Sequence, residues 1–180
     1  MKVEDFIDTL NSDFFSGVPD SLLKKLCDAL ISKYGVCGKH HIIAANEGNS
    51  VALAAGYHLA TGKVPVVYMQ NSGQGNMINP IASLCNDKVY AIPMYLVIGW
   101  RGEPGVKDEP QHVFQGEITL ELLKVLGIDY FIVSADTELS ELKDWIIAKN
   151  GALKRGKQLA FVIKKNSFDG SNKIEYSNNF

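Results

Sequence analysis

The 180 residues carry 46% apolar and 21% charged side chains at a formal net charge of −2, the balance of one globular domain and not of a disordered chain. That charge leaves no positive field for a general nucleic-acid or anionic-membrane binder, and the longest apolar stretch, Ala91 to Trp100, is about half of what a bilayer-spanning helix needs. Met1-Lys2-Val3-Glu4-Asp5 has neither the basic region nor the apolar run of a signal peptide, and Cys27, Cys37 and Cys85 show no CxxC spacing, so a cytoplasmic domain with reduced thiols is expected.

In chain order, Val3, Phe6, Ile7 and Leu10 recur at helical spacing and predict a short helix over 2–10. Phe14 and Phe15 open a brief strand that ends at Gly17. Pro19 suits the first turn of the next helix, and Asp20 places a negative charge near its start. Leu22, Leu23, Leu26, Cys27 and Leu30 form its stripe, and Gly35 its stop. A strand over 40–45 leads to Asn46, the cap of an alanine-rich helix reaching about Ala60. Its small residues (Ala52, Ala54, Ala55, Gly56, Ala60) predict a buried helix in close contact with neighbouring backbone, a subunit contact being one option. Val64 to Met69 is a continuous apolar run, as a central parallel strand covered on both faces should be.

A turn over 70–75 and a helix over 76–85 follow. Tyr90 to Ile98 predicts the fourth strand, although Pro93 cannot donate to a ladder. Gly99 to Glu117 shows no element, and loops that long are commonly functional or disordered. Beyond it come a helix over 119–126, a strand over 130–133, a helix over 137–149 and a last strand over 158–163. From Lys164 the chain turns polar, giving one domain over 1–165 and a linker or tail over 166–180. The alternation predicts an α/β fold: a single doubly wound, mostly parallel sheet with right-handed crossovers.

Ligands of such sheets bind beyond the carboxyl ends of the strands. Four turns fall there: Gly17 to Ser21, Asn46 to Asn49, Gln70 to Asn76, and the loop from Gly99. Nearly all chemically interesting residues lie in them, whereas Gly62-Lys63 and Gly156-Lys157 at the opposite edge are plain connectors. Singly, each piece has a plainer reading. Glu47 could be a first-turn acid favoured by the helix dipole, Asp20 a cap, and Gly73 and Gly75 a tight turn. The glycines follow the third strand, and the position where a dinucleotide fingerprint has its third glycine is Ile78; no Gly-x-x-x-x-Gly-Lys-Ser/Thr loop occurs. His40, His41 and His58 lack partners at metal spacing and read as structural, so no metal site is expected here. Arg101 and His112, in a polar loop at the site edge, are better candidates.

Jointly the pieces say more. Gly17-Val18-Pro19-Asp20, Asn46-Glu47-Gly48 leading into Ala52-Leu53-Ala54-Ala55-Gly56, and Ser72-Gly73-Gln74-Gly75-Asn76 resemble the pyrimidine-binding (PYR) domain of thiamine-diphosphate-dependent decarboxylases. With Gln111-His112-Val113-Phe114-Gln115-Gly116 added, the wording is most similar to phosphonopyruvate decarboxylases, with sulfopyruvate decarboxylase α subunits as near relatives. The resemblance covers about residues 1–165 and implies thiamine diphosphate with Mg²⁺ as cofactors. It implies that Glu47 bonds N1′ of the cofactor's aminopyrimidine, trading a proton there. Ser72, Gly73, Gln74 and Asn76 would be cofactor-binding, with the glycine turn letting backbone approach the ring. Asp20 and His112 would face the substrate, a small anionic 2-oxo acid. Arg101, Lys107 and Gln115 would bind it, arginine offering a fork that matches a tetrahedral oxyanion.

Two departures stand out. Gln74 occupies a position where relatives carry proline. The Gly-Asp-Gly…Asn signature that holds Mg²⁺ and diphosphate in a pyrophosphate-binding (PP) domain is missing; the only Asp-Gly, Asp169-Gly170, lies in the polar tail. The chain therefore reads as half an active site, needing a PP domain or β subunit in a homo- or hetero-oligomer. It would be either a separate α subunit or the N-terminal part of a longer enzyme, the tail favouring the latter. A non-catalytic α/β module is the reading from another class; loss of the carboxylate would mark it, and Glu47 is present.

Overall fold

The computed structural model describes residues 1–169. Six strands, all parallel, form one sheet in the order β2-β1-β3-β4-β6-β5. They are β1 (Phe15–Gly17), β2 (His41–Ile43), β3 (Val66–Gln70), β4 (Tyr95–Gly99), β5 (Asp129–Val133) and β6 (Leu159–Ile163). Successive side chains of a strand point to opposite faces, and β3 shows it. Val66 and Tyr68 enter one core with Phe15, Val97 and Phe161, whereas Val67 and Met69 enter the other with Leu96, Ile98 and Val162. A strand buried on both sides has to be apolar throughout, which is why 64–69 and 159–163 carry no charged side chain.

The first core is roofed by α1 (Val3–Leu10), α2 (Lys24–Tyr34) and α6 (Leu139–Lys154). The second is roofed by α3 (Glu47–Thr61), α4 (Gln74–Pro80) and α5 (Pro110–Val125). Faces follow direction. The crossovers β1→β2 and β5→β6 step one way across the sheet and use the first face; β2→β3, β3→β4 and β4→β5 step the other way and use the second. A single crossover handedness demands that pattern. Chains leaving β1 and β3, which are neighbours, consequently part toward opposite faces and open a crevice at their carboxyl ends.

Several expectations need correction. α2 begins at Lys24, not at Pro19, because Asp20 turns its carboxylate onto the backbone N–H of Leu22 and Leu23 and holds that stretch as a turn. β4 starts at Tyr95, so Pro93 lies outside the ladder and the objection disappears. Residues 110–117 are helical: Pro110 takes the first helical position, where its missing N–H costs nothing, and only 100–109 remains loop. The helix after β3 is preceded by a 3-10 turn over Asn71–Gly73 and continues as a π-helical turn over Ile81–Cys85 beyond Pro80. α3 is buried on one side only; Val51, Ala54 and Ala55 face the sheet while Ala52, Leu53, Gly56 and Ala60 are exposed. Past β6, Ser167 and Phe168 are buried, Phe168 against the Phe6 ring. Among the described residues no helix is long and apolar enough to cross a membrane.

Candidate active site

At the start of α3, Asn46 caps the helix with its side chain, accepting the Asn49 N–H at 2.9 Å. That fixes the next residue, Glu47, in the first turn, where the helix dipole favours a carboxylate. Glu47 is 9% exposed. Its Oε2 accepts Nδ2 of Asn76, in α4, at 2.7 Å; among the described residues Oε1 accepts no hydrogen bond. The carboxylate lies flush on Gly73: a Cβ there would stand 2.4 Å from Glu47 Cγ and 2.5 Å from Oε1. Gly48 serves the same junction, since its Cβ would sit 3.0 Å from the Asn76 carbonyl. The neighbour that requires a glycine at 73 is thus Glu47 itself. Gly75 has open space around it.

A second group spans the crevice between β1 and β3. Asp20 is buried; Oδ2 accepts the N–H of Leu22 at 3.0 Å and of Leu23 at 3.3 Å, while Oδ1 accepts Gln70 Nε2 at 2.7 Å. Gln70 Oε1 in turn accepts the exposed Ser72 hydroxyl at 2.8 Å. Gly99, at the end of β4, leaves room for this carboxylate, because a Cβ would be 2.8 Å from Asp20 Oδ2.

The third group sits after β4. Asp108 accepts Arg101 Nε at 2.8 Å, Arg101 Nη2, the Gly102 N–H at 2.8 Å and the Glu109 N–H at 2.8 Å. The Arg101 guanidinium beside Asp108 holds that carboxyl far below the ordinary range, and the pair raises Arg101 in turn. Arg101 Nη1 lies 3.2 Å from Ser21 Oγ. Buried Asn71 ties the turn after β3 to the third group and to α5, donating to the Arg101 carbonyl at 2.8 Å and the Thr119 hydroxyl at 2.9 Å and accepting the Arg101 N–H at 3.2 Å.

The structure therefore brings Glu47, Gly73 and Asn76 into contact and places Asp20, Ser72 and Arg101 on the same sheet edge. Gln74 goes elsewhere: 1% exposed, its Nε2 donates to the Thr119 carbonyl at 3.1 Å and its Oε1 is buried without a partner among the described residues. His112 and Gln115 are half-buried on α5, whose start presses on the loop so closely that a Cβ on Gly102 would stand 1.9 Å from the His112 carbonyl. Lys107 is exposed on the loop. Gln70, Asn71, Asp108 and Thr119 carry much of the hydrogen bonding of the site; the first three lie in turns expected at the site edge, yet none of the four is a site residue by sequence alone. Only the polar run Gln70-Asn71-Ser72, directly after an apolar strand, signals two of them. Among the described residues no group of three or more His, Cys, Asp or Glu side chains forms a metal site.

His41 is structural. Buried at the start of β2, it contacts the Gly35 carbonyl through Nδ1 and the Tyr68 hydroxyl through Nε2 at 2.8 Å, and burial holds its pKa below the ordinary value.

A family model described as thiamine pyrophosphate enzyme, N-terminal TPP binding domain, matches residues 3–123. Phosphonopyruvate decarboxylase of Streptomyces viridochromogenes is 37% identical over 123 residues, covering 68% of this chain and 30% of that protein. Sulfopyruvate decarboxylase subunit alpha of Methanococcus maripaludis is 34% identical over 130 residues, covering 72% of this chain and 74% of that subunit. The chain thus matches under a third of the first relative's length and about three quarters of the second's. Among solved structures, 2-oxoglutarate:ferredoxin oxidoreductase from Magnetococcus marinus superposes with a TM-score of 0.61 at 16% identity, covering 93% of this chain and 30% of that one. At that identity the likeness is one of fold.

Proposed function

The chain belongs to the N-terminal TPP-binding domain family of thiamine pyrophosphate enzymes, and from that premise we propose that it is the PYR half of a 2-oxo acid decarboxylase. Its substrate in this reading is 3-phosphonopyruvate, cleaved to phosphonoacetaldehyde and CO₂. The observation that carries the reading is Glu47: a carboxylate buried at the carboxyl edge of the sheet, one oxygen held by Asn76, the other without a bond among the described residues, and Gly73 as its wall.

That donor set fits the aminopyrimidine of thiamine diphosphate, which wants a carboxylate sharing a proton at N1′ in a dry cleft. Bound there, thiamine diphosphate would supply a nucleophilic carbon and an electron sink for the pair left by CO₂. Glu47 holds or releases the proton at N1′, and Asn76 keeps its carboxylate in one orientation. Asp20, fixed by two backbone N–H groups and Gln70, faces the substrate as a pre-oriented carboxylate. With His112 it moves the proton that replaces CO₂ on the substrate carbon. Arg101, Lys107 and Gln115 are the substrate-side residues, Arg101 already braced by Asp108. Diphosphate and Mg²⁺ fall to a PP domain or β subunit, because the Gly-Asp-Gly…Asn signature is absent from the sequence. In this reading the protein works as a cytoplasmic oligomer in which the cofactor lies between two kinds of domain.

One observation favours a second substrate: the relative matched over 74% of its own length is a sulfopyruvate decarboxylase α subunit. Assays of the chain with a PP partner on both oxo acids separate the two. The first test is calorimetric titration of thiamine diphosphate with Mg²⁺ into the chain alone and into the chain with a competent PP partner. Tight binding only in the mixture is expected. Glu47→Gln should abolish it or lower the rate about 10²–10⁴-fold, as loss of a proton relay does. Tight binding by the chain alone would misplace the diphosphate site here; no binding in either sample would return the chain to the non-catalytic module.

A further inference from the structure

β4 and β6 are neighbours whose continuations also part. Residues 100–109 run to α5 on one face, while 164–169 run to the other, where Phe168 packs on α1. Parallel neighbours that diverge in this way leave a crevice at their carboxyl ends. A cavity of about 330 Å³ occupies it, lined by Arg101 and Lys107 from the β4 side, by Lys165 and Asn166 from the β6 side, and by Ser21 and Leu22, the residues that follow Asp20.

Its charges are unevenly matched. Of the two carboxylates in the lining, Asp108 is taken up by Arg101 and two backbone N–H groups, and Glu103 pairs with Lys164 at 2.5 Å. Among the described residues Lys107 and Lys165 have no hydrogen-bond or ion-pair partner. Arg101 Nη1 and the Ser21 hydroxyl, 3.2 Å apart, supply further donors at the same wall.

We propose that this second crevice binds the head of the substrate as a doubly charged tetrahedral oxyanion, a phosphonate and not a sulfonate, between Lys107 and Lys165. The inference deepens the decarboxylase reading and rests on it. Two unmatched ammonium groups neutralise a dianion, whereas a sulfonate has a single charge at every pH and leaves one ammonium uncompensated. A phosphorus oxyanion gains its second charge near neutral pH, at about 6 for a phosphate ester. Because Ser21 and Leu22 form the cavity wall directly after Asp20, a head bound here directs the short oxo-acid end toward that carboxylate. Lys165, in the turn just past β6, belongs to no sequence motif; the topology alone brings it opposite Lys107.

Amide chemical-shift titration of the chain with methylphosphonate, methanesulfonate and inorganic phosphate at about pH 8 tests the site without chemistry. Methylphosphonate should saturate shifts in 100–108 and 164–166, with methanesulfonate about tenfold weaker. Lys107→Met and Lys165→Met should each weaken methylphosphonate about tenfold, and Lys165→Arg should not, since charge-assisted contacts at an exposed rim lie at the low end of their range. Equal response to both organic anions, unchanged binding in the methionine variants, or response to inorganic phosphate alone would overturn the proposal; the last would make the crevice a free-phosphate site. In the chain reconstituted with its PP partner, the same variants should raise KM for 3-phosphonopyruvate about tenfold and spare kcat. Unaltered KM would overturn the head-group site alone. An enzyme inactive on every 2-oxo acid, with methylphosphonate still bound, would instead overturn the decarboxylase reading.

Discussion

Gly73 shows how one missing methyl group makes room for a carboxylate. Its φ of −68° is open to any residue, so the glycine is required by space and not by backbone strain. In Gly73→Ala the new carbon would meet the Glu47 side chain at 2.4–2.5 Å, and the carboxylate must swing away from Asn76. The expected outcome is a kcat lowered about 10²-fold, as misplacement by about an ångström produces, with a urea-unfolding loss of no more than about 1–3 kcal/mol. Unchanged kcat would show that Glu47 has slack its contacts do not suggest. His41 makes a different residue-scale case. The Gly35 carbonyl can only accept, so Nδ1 carries the proton, Nε2 accepts from Tyr68, and the ring is neutral. With a folded pKa below the unfolded value of about 6.5, the unfolded chain binds more protons in the interval between the two. Stability is therefore complete above about 6.5 and falls as pH drops through that interval. Urea unfolding at about pH 7.5 and about pH 5.5 should show this loss, and His41→Gln should show less of it. An identical pH dependence in the variant would trace the acid sensitivity to other groups.

At the scale of elements, helix starts explain both what the sequence discloses and what it hides. Asn46 is recognisable as a cap because a short polar residue ahead of an apolar, alanine-rich run has few other uses, and its side chain does accept the Asn49 N–H. Asn46→Ala should cost about 1 kcal/mol, read as a shifted urea midpoint at constant slope. It should also lower activity, since Glu47 occupies the first turn that the cap secures. The start of α5 is hidden because its inward contact is not made by apolar side chains. Val113 and Phe114 are exposed, and what faces the loop is Gly116, whose Cβ would stand 1.7 Å from the Gly102 carbonyl and whose own carbonyl accepts Trp100 Nε1 at 2.9 Å. Backbone packed on backbone leaves no 3.6-residue apolar period to find. Asp108 is hidden for a related reason: one carboxylate among the charges of a loop has no pattern, and only the folded chain turns it onto Arg101.

For the whole molecule, the parallel sheet was legible because doubly buried strands must be apolar, and the site's edge was legible because strand order forces it. Less legible was where the domain ends. Composition puts that end near residue 165, where asparagine and lysine take over, yet a few residues inside a polar stretch can still finish a core. Ser167 donates to the Val133 carbonyl at 2.8 Å, Phe168 lies 5.0 Å from the Phe6 ring, and Asp169 donates its N–H to the Met1 carbonyl at 2.7 Å. These contacts tie the far end of the described chain to β5, to α1 and to the residue at the chain's start. Phe168→Ala should accordingly lose about 3 kcal/mol or more, in the range for a buried phenylalanine. A chain ended at Lys164 should lose at least as much, because the hydrogen bonds to β5 and Met1 go with the ring. Both are read by urea unfolding against the full chain. If the truncated chain unfolds at the midpoint of the full one, the domain does end at residue 165 and the Phe6–Phe168 contact adds nothing to it. If it loses the expected stability, the segment just past β6, which also carries Lys165 to the edge of the proposed anion site, is held in place by the core beneath it.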